Sequence, residues 1–341
     1  MLILNRHDVR AALSMTDAIS AAEQAYRKWS SNEADIPLRT PVRSPDGPGI
    51  ALFMPGYVHG NAPGVGSAGG AGTLGAKIIS IFEKNPQRGL TTVQSVFVLL
   101  NPETGEVLAV MEAGTLTALR TGAGTGAATK LLANPDASVA TVFGAGAQAR
   151  TQLEAMACVR PLQQVFVCDI DAGRAAAFAS EMGDYLRDLR PSISVSATTD
   201  VAAAVSQSDL IACATTSPTP LFPGDLVKPG AHVNAIGTYT PDRRELGEEL
   251  LRRADKIVVD STEAVLSEAG DFIIPINKGV FSEDRIHGEV GEILLGRKPG
   301  RERRDEITVY KAVGVATLDL LAGRMAYEKA LEKGLGVRVE F

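Results

Sequence analysis

Three basic side chains stand in company that has to be accounted for. Lys77 lies inside the apolar run LGAKIISIF, Arg120 inside TLTALRTG, and Arg39 in the segment DIPLRTP. An ammonium in an apolar strand must reach water along its own stem, pair with an acid, or do chemistry, because an unpaired buried charge is costly. Guanidinium groups suit carboxylates, since their fork matches two oxygens at once. Taken singly, each of the three would serve equally as a surface or structural ion pair. Together they sketch a seat for a small carboxylate substrate with an acid or base beside it.

A second constellation is Gly144-Ala145-Gly146-Ala147-Gln148-Ala149. It follows the apolar strand VATVF directly, and a helix begins at Gln148, which is the setting a dinucleotide-binding G-x-G-x-x-A needs. Gly144 would make the tight turn, Gly146 would let backbone approach a pyrophosphate, and the helix N-terminus would point free N–H groups at the anion. Asp169 ends the next strand, QVFVCD, at the offset where an acid holds a ribose 2′-hydroxyl. That favours NAD over NADP, with NADP still possible; the alternative is a surface acid that opens a turn with Asp171. Thr215, Thr216 and Ser217 end the later strand LIACA, at the carboxyl edge expected to lie near a nicotinamide, or else they cap the following turn.

The elements that must position these groups alternate in texture. Between Ala137 and about Ser261, apolar strands and helices follow one another regularly, which implies parallel strands covered on both faces by helices. Before that block, ALFMP, LGAKIISIF and TTVQSVFVLLN are short and β-rich, an antiparallel region whose stretch Asn101 to Glu106 predicts a hairpin. A strand MLIL and a helix opened by Ser14-Met15-Thr16-Asp17 precede it, and TLTALRTGAGTGAATKLLA reads as a long small-residue helix ended by Asn134-Pro135. The tract from Gly60 to Gly72 predicts a mobile surface loop. The run from Ile307 to about Leu331 reads as one helix, followed by a strand VRVEF. The expected fold class is α/β: a Rossmann-type NAD(P)-binding domain over 126–306, inserted into a discontinuous mixed α/β domain made of 1–125 and 307–341.

Composition closes off other classes. With 341 residues, 45% of them hydrophobic and a net charge of −6, the chain can bury a large core but offers no basic field for a nucleic acid. The three cysteines, Cys158, Cys168 and Cys213, form no C-x-x-C pair and the chain has four histidines, so no metal site is expected. No apolar run is long enough to span a membrane and no signal peptide is evident, so the expected location is cytoplasmic. His287 in DRIHGEVGE and the basic run from Arg297 to Arg304 are read as solvated loops, the latter alternatively as a contact with a partner subunit.

The stretches LRTPV, LFMPGY, LGAKIISIF, EAGTLTALRTGAGTGAATKLLA, VFGAGAQAR, AHVNAIGTYTPDRREL and ITVYKAVGVATLDL resemble, in combination and over nearly the whole length, the ornithine cyclodeaminase/mu-crystallin family. The resemblance implies that the discontinuous domain binds substrate and forms a homodimer, that Arg39 and Arg120 hold the substrate carboxylate, and that Lys77 is the active-site lysine. It places Ile236 and Gly237 with the cofactor residues. Family members make proline from ornithine with a recycled NAD, reduce cyclic ketimines, act as alanine dehydrogenases, or bind a nucleotide without turnover. Two carboxylates of the cyclodeaminases are missing: the acid before Met-Pro is Leu52 here, and the aspartate after the A-[IV]-G stretch is Tyr239, which would close the pocket or donate a hydrogen bond. A cationic δ-amino group would then lie unpaired, so the expectation is reduction of a cyclic 2-imino acid or the related amino-acid dehydrogenation, with cyclodeamination as the alternative.

Overall fold

In the computed structural model, which describes residues 1–37, 39–44, 49–60 and 72–340, the chain divides into two units, Met1–Arg120 with Ala316–Phe341, and Thr121–Val315. The first opens on strand β1 (Leu2–Leu4) and helices α1 (Arg6–Ala12) and α2 (Met15–Ser30). Ser14 caps α2 by accepting the Asp17 N–H, as its sequence predicts, and the helix buries Ala18, Ile19, Ala22, Ala25 and Tyr26 along one stripe. Apolar periodicity does not betray α1, which is fixed by a reciprocal cap between Asn5 and Asp8. Strands β2 (Ala34–Asp35), β3 (Thr40–Arg43), β4 (Gly49–Val58), β5 (Thr73–Phe82), β6 (Val93–Leu100) and β7 (Val107–Glu112) follow. β4 to β7 pair antiparallel in sequence, and the predicted hairpin closes with the Asn101 N–H donating to the Glu106 carbonyl. The expectation placed on the Gly60 to Gly72 tract falls, apart from its end residues, outside the described residues.

Helix α3 (Ala113–Leu132) carries the chain from the first unit into the second. Then come β8 (Val139–Phe143), α4 (Ala147–Val159), β9 (Gln164–Cys168), α5 (Ala172–Leu186), β10 (Ser194–Ala197), α6 (Val201–Gln207), β11 (Leu210–Cys213), β12 (His232–Ala235), α7 (Glu248–Arg253) and β13 (Lys256–Val259). The unit finishes with α8 (Thr262–Glu268), α9 (Gly270–Asn277), β14 (Ile286–Glu289), α10 (Val290–Leu294) and β15 (Thr308–Lys311). All these strands are parallel, in the order β10-β9-β8-β11-β12-β15-β13-β14. The central strands feed both faces: on β11, Leu210 and Ala212 join one apolar core, Ile211 and Cys213 the other. That is the Rossmann-type arrangement, with the strand order reversing between β8 and β11.

One element differs from its sequence reading. ITVYK is not the start of the last helix but strand β15, slotted between β12 and β13. Its four residues are buried on both faces, so the run lacks the two-residue alternation that would separate a strand from a helix. The helix itself, α11 (Ala316–Lys333), begins five residues later and is followed by β16 (Val337–Arg338). In the first unit α11 packs on α2 and on β4 and β5, beneath a sheet ordered β16-β1-β7-β6-β5-β4-β2 with β3 beside β4. Gly323 lets α11 lie close to that sheet, because a Cβ there would sit 2.4 Å from the Phe97 ring.

The basic run is likewise more structural than its sequence suggests. Arg301 donates from Nε to the Leu132 carbonyl at the end of α3, and Arg160 donates to the carbonyls of Thr129, Lys130, Ala133 and Asn134. Together they satisfy carbonyls that a helix C-terminus leaves unpaired, with charge of the favourable sign. Arg160→Met is expected to lower the unfolding free energy by about 2–3 kcal/mol, from the usual worth of charge-assisted hydrogen bonds, as measured by urea denaturation.

Candidate active site

The first unit brings two of the three singled-out basic residues into one cluster. On β5, Lys77 stands opposite Met54 of β4 and Phe97 of β6, and only 2% of it is exposed. Because Gly323 rests on Phe97, the acid one helical turn earlier, Asp319, reaches the lysine next door. Asp319 Oδ2 accepts from Lys77 Nζ at 2.6 Å, and Oδ1 accepts from Arg120 Nε at 3.0 Å. The carboxylate is 1% exposed and Arg120 7%. Burial, helped by the charges of Arg120 and Arg39 and opposed by Asp319, brings the Lys77 ammonium down to about 8. Asp319 is itself held below the usual carboxylate range, its burial outweighed by Arg120 and Lys77. Arg39, between β2 and β3, is half-buried and acts on Lys77 through its charge. Leu52 lies on β4 opposite Ile79.

In the second unit the glycine loop joins β8 to α4. Gly144 has φ +93°, and a Cβ there would meet the Ala214 carbonyl oxygen at 2.6 Å, so no other residue fits this turn without strain. Gly146 is the N-cap of α4 and lends it no side-chain cap, while a Cβ on Gly146 would meet nothing within 4 Å. Open space over a helix start of this kind fits a pyrophosphate, and Ala145, Ala147 and Gln148 flank it. At the end of β9, Asp169 accepts from the N–H groups of Ala145 and Asp171 and from Arg174 Nη2 at 2.6 Å. Its burial opposes the charge, but these donors hold the carboxyl below its usual value. Asp169 therefore ties the glycine loop to the β9 turn and presents its acid in company with an exposed arginine.

Thr215, Thr216 and Ser217 each make hydrogen bonds within the protein. Thr215 donates both its N–H and its hydroxyl to Glu245, Arg243 donates to the Thr216 carbonyl, and the Ser217 hydroxyl donates to the Thr219 carbonyl. Gly237 also donates its N–H to Glu245, beside the buried Ile236. Tyr239 lies in the bend after β12 with 43% of its surface exposed. Glu245 belongs to a buried network absent from the sequence reading. Lys311 at the end of β15 pairs with Asp271 at 2.7 Å and donates to the Thr238 carbonyl, and Asp271 accepts from the Thr238 hydroxyl and from the N–H groups of Glu245 and Leu246. Burial pushes the Glu245 carboxyl up although Lys311 draws it down.

Among the described residues no cluster of His, Cys, Asp and Glu is placed to hold a metal, and no helix is long and apolar enough to cross a membrane. None of the three cysteines is in a disulfide among the described residues.

Residues 1–334 match the family model described as the ornithine cyclodeaminase/mu-crystallin family. A Delta(1)-pyrroline-2-carboxylate reductase of Bacillus cereus strain ZK / E33L is 35% identical over 341 residues, covering all of both chains. Among solved structures, the Thermococcus litoralis Delta(1)-pyrroline-2-carboxylate reductase in complex with NADH and L-proline superimposes with a TM-score of 0.89 at 40% identity, covering 99% of this chain and 100% of that one. An archaeal alanine dehydrogenase dimer with bound NAD gives 0.87 at 33% identity, covering 100% of this chain and 99% of that one.

Proposed function

The chain belongs to the ornithine cyclodeaminase/mu-crystallin family, and from that premise we propose that it reduces a small cyclic 2-imino acid, such as pyrroline-2-carboxylate, to the L-amino acid with NADH. The related oxidation of an L-amino acid, as in alanine dehydrogenase, would use the same groups in reverse. The observation that carries this reading is the Lys77, Arg120 and Asp319 cluster, in which two buried cations share one anion. The cluster keeps a net positive charge that a substrate carboxylate neutralises. The single negative charge of Asp319 is already shared between Lys77 and Arg120, so the cluster has no spare acid to balance the second amino group of a diamino acid. This supports a reductase over a cyclodeaminase, in line with Leu52 and Tyr239 standing where the cyclodeaminases carry acids.

NAD(H) is the expected cofactor, with its pyrophosphate at the start of α4 over Gly144 to Gln148 and its ribose at Asp169. A bound nicotinamide supplies the hydride. Arg120 and Arg39 hold the substrate carboxylate and so fix the distance and orientation of the C=N carbon. As that carbon gains the hydride, Lys77 gives its proton to the imine nitrogen, and it takes one back from solvent after product leaves. A homodimer acting in the cytoplasm is the expected assembly and setting, and sedimentation of the purified protein reads the former.

The test is NADH and NADPH oxidation, followed by absorbance, with pyrroline-2-carboxylate, piperideine-2-carboxylate, and pyruvate with ammonia, beside ornithine with NAD. Turnover on a cyclic imine with ornithine silent supports the proposal; proline and ammonia from ornithine would make the protein a cyclodeaminase, and cofactor binding without turnover a carrier. The ionisation of Lys77 sets a further expectation. Because the protonated lysine is the donor, kcat/KM for reduction should be level below about pH 8 and fall about tenfold per pH unit above it. The residual rate of Lys77→Met should show no such limb.

A further inference from the structure

Asp319 has no counterpart in the reaction as just described, yet it is the most enclosed charge of the cluster. It sits in the helix segment ATLDLLAG, where a leucine would pack without desolvating a charge. A buried acid is weak evidence for stability, because exchanging a buried ion pair for apolar side chains is often neutral or stabilising. Its geometry points to another use. The carboxylate grips Arg120 from the side, through Nε, and makes no bond to either Nη nitrogen, which leaves the end-on fork of the guanidinium to meet two oxygens of another group. Its other oxygen fixes the Lys77 ammonium, contributed by a strand 242 residues away in the chain.

We propose that Asp319 is the positioning residue of the substrate seat, one buried carboxylate that sets the Lys77 ammonium and the terminal fork of Arg120 at a fixed spacing for a single 2-imino carboxylate. The proposal rests on the reductase reading for the identity of that ligand. It also makes Asp319 the group that keeps Lys77 protonated near neutrality, since burial, Arg120 and Arg39 all act the other way. The charged groups facing Lys77 among the described residues are Asp319 from α11, Arg120 from α3, and Arg39 from the segment before β3.

The experiment compares Asp319→Asn and Asp319→Glu with the parent protein. Asp319→Asn is close in size but has lost the charge, and its amide cannot accept from both cations. It should raise KM for the imino acid and lower kcat, together about 10²-fold or more in kcat/KM, with the basic limb of the pH profile moved toward lower pH. NADH affinity, read by quenching of intrinsic or nucleotide fluorescence, should stay within about twofold, because Asp319 makes no hydrogen bond in the unit that carries the glycine loop. Asp319→Glu keeps the charge and should leave the limb near its original place while recovering part of the rate. An unmoved limb and unchanged constants in Asp319→Asn would overturn the assignment.

A readout that does not depend on turnover separates this idea from the reductase reading. In protein labelled with 13C-lysine, with Lys77→Met identifying the resonance, Lys77 should titrate at lower pH in Asp319→Asn than in the parent. If no imino acid is reduced but the titration moves, the clamp stands and the substrate reading falls; if imino acids are reduced and the titration does not move, the reverse holds. If Asp319→Asn fails to fold, the Asp319→Glu variant decides by its KM, since a spacer role predicts a raised KM with the limb retained and a purely structural acid predicts an unchanged KM.

Discussion

Arg120→Leu is expected to lower kcat/KM for a 2-imino acid by about 10²–10³-fold, the range seen when one partner of a buried charge-assisted pair is removed. The loss should fall first on KM, because the carboxylate loses its bidentate partner, and then on kcat, because a loosely held substrate presents its C=N carbon at the wrong distance. The variant should still fold: without Arg120 the cluster is Lys77 against Asp319, a neutral pair at 2.6 Å. Arg120→Lys is expected to rescue little, since an ammonium cannot give Nε to Asp319 and a two-pronged fork to the substrate. The pH profile supplies an internal check. Arg120 lowers the ionisation of Lys77, so its removal should move the basic limb upward, opposite in direction to the shift expected for Asp319→Asn. Limbs that move the same way in both variants would mean that Lys77 is not the titrating group.

How far the sequence discloses this arrangement depends on whether each residue advertises its surroundings. Gly144 to Gln148 could be placed because a strand, a glycine turn and a helix start are consecutive in the chain, so their geometry is local. Lys77 stands out as a charge within an apolar strand. The same reasoning would have found Asp319 in ATLDLLAG and Lys311 in ITVYKAVG, each a lone charge in an apolar run and each fully buried. What it would not have found is the pairing, because Lys77 and Asp319 meet only through the packing of α11 on β5 that Gly323 permits. The mistaken helix over ITVYK has the same root, since a strand buried on both faces carries no alternating pattern and β15 reaches its place by skipping over β13 and β14. The small helix α1 was hidden because one capping box, not an apolar stripe, defines it.

The largest effect on stability is expected at the other missed charge. Asp271→Ala would leave Lys311 fully buried with its acid gone, and would take the acceptor from the Thr238 hydroxyl, which would keep only its contact with Lys311, and from the N–H groups of Glu245 and Leu246. Breaking a buried pair from one side costs about 3–5 kcal/mol, a large part of the stability of an ordinary domain. A calorimetric scan should show the midpoint falling by about 10 °C. Asp271 lies below its ordinary ionisation in the folded protein, its burial overcome by Lys311 and the donors around it. Its contribution is therefore present above the unfolded carboxylate value and lost as pH falls through the folded one, so the gap between parent and variant should be full at neutral pH and shrink below about pH 4. Asp271→Leu combined with Lys311→Met should recover the share of the loss that comes from the stranded Lys311 charge, while the N–H groups of Glu245 and Leu246 stay without an acceptor. The recovered protein is then informative about function. Glu245 would still bind the N–H groups of Thr215 and Gly237, and its carboxyl, pushed up by burial, would lose both the downward pull of Lys311 and the smaller opposing charge of Asp271. NADH affinity that falls while that share of the stability returns would show that this network shapes the cofactor edge of the sheet, and affinity that recovers along with it would show that the network only holds the strands together.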